Sequence, residues 1–182
     1  MIPPTDATRR ALLLSAPICA ATWLEEPTAD PRFATLVLSR HAEKGDDDAR
    51  DPSLSAAGHE RATRLAATFA RVSKPRLFAT EYRRTQQTLE PLARAARVEV
   101  VVKPAADVDA WIATLREGRE GVTIVATHSN VVPRLAAAFG VTLADLDAKG
   151  NLPEAEYGRV VVLTLRFASE RVDAVNSIEL SI

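Results

Sequence analysis

The chain has 182 residues, 47% of them hydrophobic, with 23 basic and 24 acidic side chains. That length suits one domain with a substantial core, and dispersed basic residues at a net charge of −1 leave no electrostatic footprint for nucleic acid. The one cysteine, Cys19, excludes an internal disulfide framework and a multi-cysteine zinc site, and no apolar run is long enough for a mature membrane-spanning helix.

Residues 1–22 read as an export signal. Thr8-Arg9-Arg10 precedes an apolar run over 11–16, and small residues at Ala20 and Ala21 offer a cut site. The order Thr-Arg-Arg-Ala-Leu-Leu resembles a twin-arginine signal, which implies a periplasmic or exported protein. Pro17 interrupts the run and no Ala-x-Ala precedes the cut, so the alternative is a mature amphipathic helix packed on a cytoplasmic domain. Residues 23–32, with Pro27 and Pro31, read as a linker, and the folded domain is expected over 33–182.

The first predicted strand is 33–39, and it delivers Arg40-His41 to its carboxyl end. After the acidic run Asp46-Asp47-Asp48, Ser55 is a good cap for a helix over 56–72, where Ala62, Leu65, Ala66, Phe69 and Val72 recur at helical spacing. Lys74-Pro75 breaks the pattern before a strand at 76–79. A helix follows over 82–96, with Thr80 as candidate cap and Leu89, Leu92 and Ala96 on its apolar face. Valines mark a strand at 98–102. Trp111, Ile112 and Leu115 give the inner face of a helix over 108–117. Residues 122–126 form the fourth strand, 131–139 a helix tolerating Pro133 in its first turn and ended by Gly140. Strands at 159–167 and 171–180 close the chain as a hairpin. The alternation predicts an α/β fold, a three-layer α/β/α sandwich with a mostly parallel mixed sheet and an antiparallel edge strand.

Three turns after strands carry phosphate-seeking residues. Arg40-His41 pairs a planar fork of donors with a neutral nitrogen nucleophile. Arg84 falls in the first turn of a helix, where an anion also meets the positive end of the dipole. His128-Ser129-Asn130 leads from a strand into a helix. With parallel strands all three turns open on one sheet edge, beyond the carboxyl ends where α/β proteins bind ligands.

Arg40-His41-Ala42-Glu43, Leu54-Ser55-x-x-Gly58-x-x-Arg61-Ala62, Arg84-Thr85-x-Gln87-Thr88 and His128-Ser129-Asn130 resemble, in this order, the motifs of the histidine phosphatase (phosphoglycerate mutase-like) superfamily. The resemblance runs from about residue 35 to 165 and is nearest the small phosphohistidine-phosphatase branch. It implies a metal-independent phosphatase without cofactor, acting on a phosphorylated small molecule or phosphoprotein. His41 would become transiently phosphorylated, with Arg40, Arg84 and His128 around the equatorial oxygens. Asn130 and Lys44 are further candidates for phosphate contact. The leaving group needs a proton. Family members place a carboxylate after the second arginine or directly after the second histidine, and Ser129 occupies the latter position. Asp107, Glu99, Glu90 and Glu43 remain, with Asp107 preferred. The competing readings are a phosphoglycerate-type mutase and a phosphate-binding module that has lost turnover. Substrate identity and oligomeric state have no signature in the sequence.

Overall fold

The computed structural model describes residues 32–117, 120–168 and 171–182. The export signal expected over 1–22, the linker up to residue 31 and the hairpin tip at 169–170 lie outside these residues. Among the described residues ten elements follow one another: β1 (Arg32–Arg40), α1 (Ala56–Thr68), β2 (Arg76–Thr80), α2 (Arg83–Ala96), β3 (Val100–Lys103), α3 (Val108–Arg116), β4 (Gly121–Thr127), α4 (Val132–Ala138), β5 (Arg159–Ala168) and β6 (Arg171–Ser181). No helix among them is long and apolar enough to cross a membrane.

The strands form one mixed sheet in the order β3-β2-β4-β1-β5-β6. β1 to β4 run parallel, and β5 pairs antiparallel with both β1 and β6. β1 lies in the middle, covered on both faces, so its apolar run is continuous rather than alternating. Leu36 and Leu38 face a core with Val108, Trp111 and Leu115 of α3 and Leu135 of α4. Val37 faces the opposite core, with Leu65 of α1 and Leu89 and Leu92 of α2. Two helices therefore cover each face, and the three-layer α/β/α sandwich expected from the sequence is the observed fold.

Local deviations have local causes. Helix 56–72 stops at Thr68, where the Phe69 cap turns its amide onto Leu65 and Ala67. The strand expected from residue 98 begins at Val100, because the Val98 amide donates to Ala93 and still closes α2. Thr80 is the last residue of β2, and the cap position of α2 falls to Tyr82, which makes no side-chain capping bond. Ser55 caps α1 as expected, accepting from the Gly58 amide at 3.2 Å, and Gly140 takes φ +84° just after α4.

Candidate active site

Sheet register brings the two histidines together. Arg40 pairs with Thr127 across β1 and β4, so His41 and His128 are the next residue on adjacent strands. The His41 amide donates to the Thr127 carbonyl at 2.8 Å, and the two rings lie 5.5 Å apart, edge to face. β2 pairs with the other side of β4, bringing the start of α2 and Arg84 to the same edge. The parallel arrangement thus does what the sequence pattern required of it.

The His41 side chain is buried, and its Nδ1 lies 2.8 Å from the Ala42 carbonyl oxygen. A carbonyl only accepts, so Nδ1 carries the hydrogen and the lone pair sits on Nε2. Burial, then the neighbouring His128 and the charges of Arg84 and Arg40, lowers its pKa to about 3 against the Ala42 bond. His128 is lowered to about 4, first by burial and then by Arg84, while Glu81 opposes the shift. Both imidazoles are neutral at neutral pH. The tautomer of His128 follows from proton accounting. Thr85 Oγ1 is 2.7 Å from the Tyr82 carbonyl and spends its hydrogen there. Thr80 Oγ1, 2.9 Å from Thr85 Oγ1, then donates to it, and accepts from His128 Nε2 at 3.1 Å.

Two arginines flank the histidines. Arg40 Nη1 donates to the carbonyls of Pro153 and Glu154 at 3.1 and 2.8 Å, and Nη2 lies 3.3 Å from the Glu154 carboxylate. Its guanidinium carbon stands 4.1 Å above the Tyr157 ring. Arg84 repeats the device with Tyr82 at 4.3 Å, and its Nη1 is 3.6 Å from Asp51. Asp51 also accepts from the Arg83 amide at 2.9 Å, so the chain's own carboxylate holds the α2 terminus. Even so, Arg40 Nε and Arg84 Nε and Nη1 are buried without a hydrogen-bond acceptor among the described residues. Orphaned buried donors of this kind are costly, and an anion in the cavity would satisfy them.

The cavity has a volume of about 520 Å³. Arg40, His41, Arg84, His128, Asn130 and Lys44, all expected from the sequence, line it together. Asp107 does not. Its carboxylate accepts the Ala110 amide at 2.9 Å as the N-cap of α3, and the neighbouring Ala105 and Ala106 form the wall instead. The other candidate acids are also elsewhere. Glu43 accepts from Arg61 Nε at 2.9 Å, which holds its carboxyl below the usual range. Glu90 pairs with Arg94 along α2, and Glu99 is exposed outside the cavity.

The wall carboxylates are Glu81 and Glu154. Glu81 Oε2 accepts the Ala105 amide at 2.7 Å. It shares the turn after β2 with Arg84, so its position after a parallel strand was the available signal. Tyr82 and Tyr157 are the chain's two tyrosines, and each lies against one arginine and one histidine. For Tyr157 and Glu154 no local pattern pointed to the site.

The motif glycine has a steric reason. A Cβ at Gly58 would press into the Glu43 carbonyl oxygen just beyond His41. That approach, the Glu43–Arg61 pair, and the Ala42 amide donating to Thr88 Oγ1 at 2.9 Å fix the segment after the histidine from both helices of one face.

Residues 36–107 match the family model of the histidine phosphatase superfamily (branch 1). No curated protein matches the chain in sequence. Among solved structures it is similar to the protein histidine phosphatase SixA complexed with tungstate (20% identity, TM-score 0.58, 77% of this chain and 96% of that one). It is similar also to a mycobacterial glucosyl-3-phosphoglycerate phosphatase (17%, 0.56, 79% and 98%). A third is YhfR of Bacillus stearothermophilus (17%, 0.59, 78% and 95%). At these identities the likeness is one of fold.

Proposed function

We propose that this chain, a member of the histidine phosphatase superfamily, hydrolyses phosphoric monoesters by way of a phosphohistidine on His41. The observation that carries the reading is a set of buried guanidinium donors lacking acceptors beside a neutral imidazole whose Nε2 is unprotonated. His41 Nε2 attacks phosphorus as the bond to the leaving oxygen breaks. Arg40 and Arg84 stabilise the equatorial oxygens, where transition-state charge is spread, and His128, with Nε2–H on Thr80, joins them when the bound phosphate's negative charge draws a proton onto its Nδ1. Water then attacks the phosphoryl group, the P–N bond breaks, and Nε2 regains its lone pair.

The leaving oxygen takes its proton from Glu81. Of the two wall carboxylates Glu154 is committed to Arg40, whereas Glu81 has one oxygen on the Ala105 amide and the other without a hydrogen-bond partner among the described residues. In the second half-reaction Glu81 takes the proton from water. Neighbours named as phosphatases support hydrolysis over mutase chemistry. Phosphohistidine and acyl phosphates remain within the substrate range, since their leaving groups need little protonation. Export through residues 1–22 belongs to this reading and directs the enzyme to phosphates outside the cytoplasm.

Hydrolysis of p-nitrophenyl phosphate by the full chain, with EDTA present, is the test. Turnover that survives EDTA and disappears in His41→Ala is the expected result. Turnover lost to EDTA rejects the mechanism, and vanadate binding without turnover would favour the binding-module reading.

A further inference from the structure

We infer that the cavity holds a second anion subsite, formed by Lys44 and Arg50, and that the physiological substrate is a phosphomonoester bearing another acidic group on its leaving side. The inference rests on the phosphatase reading above and adds the class of substrate.

At about 520 Å³ the cavity is far larger than a phosphoryl group, so the leaving group also lies within it. Its cations divide into two kinds. Arg40 is matched by Glu154, and Arg84 by Asp51. Lys44 and Arg50 line the same cavity, and neither side chain has a hydrogen-bond or carboxylate partner among the described residues. This is not for want of acids nearby, because the 46–51 loop is rich in aspartate. Asp47 accepts from the Ser53 amide at 2.8 Å and pairs with Arg83 at 3.3 Å. Asp48 accepts from the Arg50 and Asp51 amides at 2.7 and 3.0 Å. Asp51 is taken by Arg83 and Arg84. Asp46 does not line the cavity. These three aspartates are spent on shaping the loop, and two cations are left facing the cavity.

The remaining wall charges give the subsite a direction. Glu154 repels a second anion from its part of the wall, and Glu81, which carries the leaving group's proton, offers it no cation there. Lys44 and Arg50 attract it to the 44–52 side. A substrate with two acidic groups then binds in one orientation, the scissile phosphate on the histidines and the other group on the loop.

The test compares phenyl phosphate, carboxyphenyl phosphate and hydroquinone bisphosphate on the full chain, in wild type and in the K44M/R50M double variant. The wild type is expected to prefer one or both doubly acidic esters by about tenfold or more in kcat/KM, mainly through KM. In the double variant that ratio falls towards one, and added sodium chloride lowers it in the wild type. The ester that gains more shows whether the subsite takes a carboxylate or a phosphate. Equal kcat/KM for all three in the wild type, or a preference that persists in the variant, overturns the subsite while leaving the phosphatase reading intact. No turnover of any ester overturns both.

Discussion

Acidification from about pH 7 to about pH 5.5 probes the protonation states on which the chemistry depends. An unfolded chain protonates each of these histidines near the ordinary value of 6.5, whereas the fold holds His41 neutral down to about 3 and His128 down to about 4. Between those values and 6.5 the unfolded state binds more protons, so stability falls as pH falls. For one site that takes up nothing while folded, the loss over this interval is about 1.2 kcal/mol. His128 is half-exposed, so its share is discounted to about 1 kcal/mol, giving roughly 2 kcal/mol together. In a domain of this size that corresponds to a fall in Tm of roughly 4–8 °C. Glu43, Asp47, Asp48 and Asp147 have depressed pKa values and surrender their contribution only at lower pH, below the interval. The assay is urea unfolding at both pH values, in buffers free of phosphate and sulfate so that no anion compensates the arginines. His128→Gln should halve the loss. A wild-type stability that does not change over the interval, or an undiminished loss in His128→Gln, would refute neutral, buried imidazoles.

Glu81→Gln should lower kcat for phenyl phosphate by roughly 10²-fold or more and change p-nitrophenyl phosphate far less, because nitrophenolate leaves without a proton; equal losses on both would reject Glu81 as the acid. Gly58→Ala forces the Glu43 carbonyl aside and is expected to cost about 2 kcal/mol net of the better helix propensity, seen as a lower urea midpoint. Tyr157→Leu removes the face under Arg40 and should weaken vanadate binding by about three- to tenfold, with Tyr157→Phe near wild type. A similar loss in both would move the role from the ring face to the hydroxyl.

Much of this was legible because it is local. The β1 residues 35–38 are apolar or β-branched and end in Arg40-His41, and a strand followed by such a pair can be read in ten residues. Arg84 and His128 follow strands in the same way, so parallel topology alone assembled four of the six cavity groups expected. Asp107 shows the opposite case. It immediately precedes α3, the ordinary place for a capping aspartate, and capping is what occupies it. Glu154 and Tyr157 reach the site through Arg40, more than a hundred positions away in the chain. Contacts at that separation leave no periodicity to find. The helix and strand ends moved where a single amide changed partner, as at Val98.

The pairing of Arg40 with Thr127 has a consequence for how this site tolerates change. Neighbouring strands stand about 4.8 Å apart, and the two imidazoles, one rung beyond that pair, are separated by 5.5 Å. Their spacing is inherited from main-chain hydrogen bonds rather than from the identity of the side chains packed beneath them. Core residues in β1 and β4 can therefore exchange for others of like volume while the histidines hold station. Deleting one residue within β1 is another matter: it would invert the faces of everything on one side of the cut. The histidine pair is robust to substitution and brittle to changes of length, and variation in the rest of the cavity is left to the loops that line it.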